Sequence, residues 1–144
     1  MKLNVSFDSH VSWNFRIRFL MLFCILLIQS VSYALTISLP YNTSGAVKIT
    51  KSISYDYNGG TENVSLSTVG NAYKDFKGEG LVSANWLKWS KIRDSSGDFS
   101  KGKLVIDKNM SVYSRSGSLS SEVGWSWGEG QVLINVTQTG VPVK

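Results

Sequence analysis

Histidine, cysteine and proline are almost absent from the 144 residues, which hold one His, one Cys and two Pro. The single cysteine, Cys24, has no intramolecular disulfide partner. A nucleophilic triad of the usual kind needs a His to shuttle its proton, and a zinc site usually needs several Cys or His. His10 and Cys24 supply neither set. The longest apolar run is Phe19 to Ile28, well short of the ~20 residues of a spanning helix. There is no G-x-x-x-x-G-K-[ST] phosphate loop, and Gly78-x-Gly80 lacks the third glycine of a dinucleotide fingerprint. The thirteen glycines follow no G-X-Y period, which excludes a collagen helix.

What is present begins with an address. Arg16 and Arg18 precede the apolar run, and the small residues Ser32 and Ala34 follow it. A basic stretch, ~7–15 apolar residues and a small-x-small site are the layout of a secretory signal peptide. The sequence therefore predicts a helical signal segment over 1–34, export, and cleavage after Ala34. Left uncleaved, the same segment is a signal anchor, the one membrane contact the sequence suggests. Cys24 follows Phe23 rather than the small residue a lipoprotein site needs, so it reads as part of the apolar run. With residues 1–34 set aside, 35–144 holds no His and no Cys. Its fold must be held by packing and backbone pairing, which a domain on the order of 100 residues can supply.

Residues 35–144 read as one all-β domain. They contain three Ala and four Glu against twenty-four Val, Ile and Thr, the balance of strand formers over helix formers. Val47, Ile49, Ile53, Tyr55 and Tyr57 alternate with Lys48, Thr50, Ser52, Ser54 and Asp56. Lys51 on the apolar side marks a strand end or an edge. Asn58-Gly59-Gly60 followed by alternation over Val64, Leu66 and Thr68 is a hairpin signal. Further strands are expected over 35–39, 81–92, 103–107, 110–115, 120–127 and 131–139. The pattern predicts an antiparallel β-sandwich, or alternatively a small β-barrel. Gly78-Glu79-Gly80-Leu81-Val82 echoes Gly128-Glu129-Gly130-Gln131-Val132, a hint of two half-repeats.

Few residues offer chemistry. Asp75 with Glu79, Asp94 with Asp98, and Glu79 with Glu129 are the carboxylate pairs a hydrolase could use, although acids among so many bases are more often solvated surface. Asp94-Ser95-Ser96-Gly97-Asp98 is a turn by composition and lacks the alternating acids of a calcium loop. No metal site and no cofactor are expected. Basic residues concentrate between Lys74 and Lys108, a mildly positive stretch suited to anionic polymers of a wall or envelope. Its interleaved acids, and export, argue against nucleic acid.

Trp86, Trp89, Trp125 and Trp127 are the candidate ligand-binding residues. Trp125 and Trp127 share a face on a regular strand, whereas Trp86 and Trp89, three apart, fall on opposite faces. Flat rings on an exposed sheet stack on sugars; the same rings also fill sandwich cores. Asn42, Asn63, Asn109 and Asn135 each open an N-x-[ST] glycosylation sequon, and the strand pattern turns all four toward water. No family is recognised in these motifs. The reading that follows is an exported cell-surface or envelope protein, a structural or adhesion-type module without catalytic activity, its partner a polysaccharide or an envelope protein. The alternatives are a carbohydrate-binding module using the tryptophans, and a carboxylate-dependent hydrolase or enzyme inhibitor, which would depend on Glu79, Asp94 or Glu129.

Overall fold

Eight strands form where β-branched residues alternate with short polar ones: β1 (Ser32–Ser38), β2 (Val47–Tyr55), β3 (Gly60–Ser67), β4 (Lys74–Val82), β5 (Leu87–Ile92), β6 (Lys101–Ile106), β7 (Arg115–Trp125) and β8 (Gly128–Gln138). The computed structural model describes residues 31–41 and 45–144; the expected signal helix lies outside them. Ser32–Lys144 is one compact unit. Ser32, Tyr33 and Ala34 are the first residues of β1, so cleavage after Ala34 would shorten that strand.

The strands make two four-stranded sheets. The first has the order β1-β3-β6-β5 and the second β2-β8-β7-β4. The all-β expectation holds, with two corrections. Both sheets are mixed rather than antiparallel, because β1 pairs parallel to β3 and β2 parallel to β8. The sheets do not close into a barrel; they face each other in a sandwich-like arrangement.

The hairpin expected at Asn58-Gly59-Gly60 does not form. The turn exists, with the Asn58 amide donating to Asp56 Oδ1 and the Gly59 amide to the Asp56 carbonyl. It carries the chain from the second sheet to the first, where β3 pairs antiparallel to β6. Gly59 has φ 72° and no room for a side chain, because a Cβ there would collide with the Ile106 carbonyl. The glycine thus serves close approach to the end of β6, not a two-strand reversal. Of the two readings of Lys51, the edge holds: β2 is an edge strand, and Lys51 stands on its half-buried side.

Other boundaries also moved. The run 81–92 breaks at Ser83–Trp86 into β4 and β5. The expected strand 110–115 is instead a loop leading into β7. Most of β4 went unpredicted because Gly78 and Gly80 look like turn residues. They are a bulge, with positive φ at both and a register shift between Lys77 and Leu81. Their sequence echo at Gly128 and Gly130 lies in regular strand, so the half-repeat is not structural.

One apolar cluster lies between the sheets. Ile37, Val64, Leu66, Leu87, Leu104 and Ile106 come from the first sheet; Phe76, Leu119, Val123, Trp125, Val132, Ile134 and Val136 come from the second. Glu62 also points inward. The Tyr55 hydroxyl donates to it, and the Tyr33 ring meets the Tyr55 ring edge-on at 5.4 Å. Burial, with this hydrogen bond second, pushes the Tyr55 hydroxyl well above the usual phenol range.

Trp89 closes the opposite side, where the edge strands β4 and β5 meet. Its ring packs edge-to-face on Phe76 at 5.1 Å. It occupies space left by two glycines: a Cβ on Gly80 would lie 2.8 Å from its Cδ1, and one on Gly102 would overlap the ring outright. The slot is tight enough that Trp89 Nε1 has no hydrogen-bond partner among the described residues. Replacing Gly102 by Ala therefore overpacks a filled core. We expect G102A to cost about 1–3 kcal/mol and to lower the thermal midpoint by several degrees; a midpoint equal to that of the parent protein would show that the slot is not packed.

Candidate functional site

The four tryptophans do not form one surface. Trp125 ends β7 facing inward, 5% exposed, and its Nε1 donates to the Pro40 carbonyl at 2.9 Å. Trp127 does not share that face, because the strand has ended: it lies half-buried in the turn between β7 and β8, edge-on to Tyr41 at 4.6 Å. Trp86 precedes β5, so the alternation that put it opposite Trp89 does not reach it. It packs on the core, with the Arg115 guanidinium 4.3 Å above its ring. Among the described residues the well-exposed aromatic rings are tyrosines: Tyr33, Tyr41, Tyr73 and Tyr113.

The candidate carboxylates are dispersed or already engaged. Asp75 Oδ1 accepts from the Phe99 amide at 2.8 Å. Asp94 accepts from the amides of Ser96 and Asp98 and, at 2.6 Å, from the Ser100 hydroxyl. Its Oδ1 thus caps the turn and its Oδ2 holds Ser100, which is the chemistry of a turn rather than of a calcium cage. Glu79 stands exposed on β4 and Glu129 on β8. Among the described residues, no three His, Cys, Asp or Glu converge as a metal site would require.

The sequons divide sharply. Asn42 lies outside the described residues. Asn63 is half-buried on the outer side of β3, and its Nδ2 donates to Ser32 Oγ and to the Tyr33 carbonyl. Asn135 is half-buried on the outer side of β8. Asn109 contradicts the expectation of a water-facing side chain: it is 2% exposed. Its Nδ2 donates to the carbonyls of Tyr113 (2.9 Å) and Thr139 (3.0 Å), and its Oδ1 accepts from the Ser111 amide. A three-way amide clamp organises the loop that had looked like a strand.

The two outer sheet faces are the arrangement the sequence reading missed. On the second sheet the register aligns short polar side chains into rows. Ser54, Thr137 and Ser116 form one row, Ser52, Asn135 and Ser118 the next, and Thr50, Leu133 and Ser120 a third. Ser54 and Thr137 hydroxyls are 2.9 Å apart. A fourth row runs Lys48, Gln131, Glu122, Lys77 across all four strands. It borders a shallow hollow of about 480 Å³. The Lys77 stem lies over Gly124, where a Cβ would meet its Cε.

The outer face of the first sheet has a different character. Its rows are Thr36, Ser65, Lys101 and Ile92, then Ala34, Asn63, Lys103 and Ser90, then Ser32, Thr61, Val105 and Lys88. Every row holds one lysine and at least two hydroxyl or amide side chains, and none holds an acid. The Lys74–Lys108 excess is thus concentrated, in part, on one face. The alternations Lys88-x-Ser90-x-Ile92 and Lys101-x-Lys103-x-Val105 carried that signal; which strand lies beside which was needed to read it.

No family model matches the chain, and no curated protein is found similar to it. Among solved structures, the solution structure of amebosin is similar at 11% identity and a TM-score of 0.34, over 78% of this chain and 100% of that one. A likeness at that level carries no argument.

Two predictions follow from the side-chain clamps. The Ser100 hydroxyl, then the Asp98 and Ser96 amides and Lys74, hold the Asp94 carboxyl below the usual carboxylate range against a smaller opposing effect of burial. A depressed folded value stabilises the protein above the unfolded value of about 3.9, and that stability is lost as pH falls through the folded value. The thermal midpoint of D94A should therefore fall less steeply than that of the parent below about pH 4; parallel profiles would refute the linkage. For Asn109, mass spectrometry of the native chain should find the side chain bare. N109A should cost about 1–3 kcal/mol, because it removes the three hydrogen bonds of a buried amide; a glycan on Asn109 would be incompatible with this fold.

Proposed function

We propose that the protein is an exported surface or envelope component, a structural or adhesion-type module without catalytic activity that acts through its open sheet faces. The observation that carries this reading is the in-register array Ser54–Thr137–Ser116, Ser52–Asn135–Ser118 and Thr50–Leu133–Ser120 on the second sheet. Short hydroxyl and amide groups lose little rotamer freedom when engaged. They repeat at about 4.8 Å between strands and about 6.8 Å along one face of a strand. Two adjacent rows of hydroxyl and amide groups, bordered by a row that also holds Leu133 and Leu81, suit an extended, repetitive partner better than a small molecule.

A second reading, carbohydrate binding, is favoured by a different observation. Tyr41 is 59% exposed and rests edge-on against Trp127, leaving a ring free to stack on a sugar. Of the tryptophans first considered, this reading keeps Trp127 and supplements it with a tyrosine.

One experiment separates the two. Washed cells displaying the native chain are compared with cells displaying S52Q/S118Q, which roughens the array, and Y41A, which removes the exposed ring. The module reading expects retention to fall several-fold in S52Q/S118Q and to persist in Y41A; the reverse pattern selects carbohydrate stacking at Tyr41. A native chain found wholly in the wash would refute the module.

A further inference from the structure

We infer that the outer face of the first sheet is a binding surface for an acidic polysaccharide. The inference rests on the module reading above but names a different face and a partner.

The argument is one of charge and spacing. Lys101, Lys103 and Lys88 occupy three successive rows of the sheet, about 6.8 Å apart along the strands. Lys101 and Lys103 are exposed and make no ion pair or hydrogen bond among the described residues. Lys88 is paired with Asp107 at the end of the face. Two further cations belong to the other side of β5, with Leu87 and Trp89, where Phe99 gathers them: Lys91 Nζ lies 4.4 Å and the Arg93 guanidinium 4.2 Å from the ring centroid. Cation–π attraction holds these like charges near each other despite their repulsion.

Asp107 offsets Lys88, but among the described residues no carboxylate pairs with Lys101 or Lys103. Asp94 is occupied by its own turn and Ser100, and Asp75 by Phe99 and Tyr73. The second sheet's outer face has two lysines in its charged row but also Glu122, and Glu129 beside it, so the molecule is basic on one side and nearly balanced on the other.

The neighbours of the lysines select among polyanions. Ser65 and Ile92 flank Lys101, with Thr36 beyond Ser65 in the same row; Asn63 and Ser90 flank Lys103, and Thr61 lies in the row of Lys88. Each cation is thus accompanied by hydroxyl or amide groups, which suits a polymer bearing one anionic group and several hydroxyls per unit. Nucleic acid is a poorer match, because none of the described residues in the three rows is an aromatic on which bases could stack. A lipid surface is also a poorer match, because Ile92 and Val105 are the only large apolar side chains in the three rows.

The test uses the full chain in a neutral detergent, so that the N-terminal apolar segment stays covered. Binding to polygalacturonate, dextran sulfate, uncharged dextran, single-stranded DNA and vesicles containing phosphatidylserine is measured at several salt concentrations. The expected result is salt-dependent binding to at least one acidic polysaccharide, tighter than to DNA or vesicles. K101Q/K103Q should weaken it by about tenfold or more with an unchanged melting temperature. K48Q/K77Q, the same charge loss on the opposite face, should leave it near the parent value.

Failure to bind either acidic polysaccharide would overturn the inference, as would equal loss in the two double variants. Tighter binding to DNA or to vesicles would overturn the assignment of partner. If K101Q/K103Q has no effect here while S52Q/S118Q still releases the protein from cells, this inference fails and the module reading stands. If neither face affects retention, both fail.

Discussion

A buried amide ties together the ends of both sheets, beside the apolar core they share. Gln138, at the end of β8, is almost fully buried, and its Nε2 donates to the carbonyls of Asp56, Tyr57 and Asp107. Its Oε1 accepts from Arg115 Nε at 2.8 Å, and a terminal nitrogen of the same guanidinium donates to the Asp107 carbonyl. Asp56 and Tyr57 are where the chain leaves the second sheet; Asp107 is where it leaves β6 of the first. The Asp56 and Tyr57 carbonyls also accept from the Gly59 and Asn109 amides, so the Gln138 amide adds a further bond to each and, by reaching Asp107, ties the two exits together. Gln138 and Arg115 share the Asp107 carbonyl, and the Asn109 amide bridges the Tyr113 and Thr139 carbonyls next door. With no disulfide available, polar side chains at this end take the place of a covalent staple.

Those clamps explain what the sequence could and could not reveal. Alternation identified the inward residues of β2, β3 and β8 because each of these strands buries one face. It could not say that β2 and β3 belong to different sheets, since Asn58-Gly59-Gly60 reads the same whether the chain reverses beside itself or crosses a core. The crossing is decided by long-range partners: β8 for β2, and β6 for β3. Asn109 shows the same limit from the other side. An Asn before Met110-Ser111 looks like a solvated sequon, and only the approach of Tyr113 and Thr139 turns it into a buried clamp. Gly78 and Gly80 hid β4 because a bulge and a turn demand the same residue.

The candidate surfaces were half legible. The basic excess between Lys74 and Lys108 and the abundance of Ser and Thr are plain in the composition. Their separation onto two faces is not, because it depends on which strand lies beside which. Lys101 and Ser65 are neighbours only through the β3–β6 register, and Ser52 and Ser118 share a row only because β8 lies between their strands. The tryptophans misled for a related reason. Trp86 and Trp127 sit just outside strands, where period-two reasoning has no force, and Trp89 faces glycines on two other strands that the local sequence does not reveal.

Edge protection joins the fold to the use of its faces. Each sheet has two edge strands, and unpaired edges invite aggregation. β2 carries Lys48 and Lys51 on its edge, β4 is bent by its glycine bulge, and β5 carries Lys88 and Lys91. Tyr33 and Tyr55 cover Glu62 on one flank, and Trp89 seals the other. With its flanks obstructed in these ways, the molecule is left two broad surfaces on which to meet a partner. One carries rows of hydroxyls and amides beside a row of mixed charge, the other is a basic face in which every lysine has hydroxyl or amide neighbours. A fold whose apolar core lies between its sheets leaves most outer strand positions free of that packing, and those positions carry the charge and hydroxyl patterns from which its function is inferred.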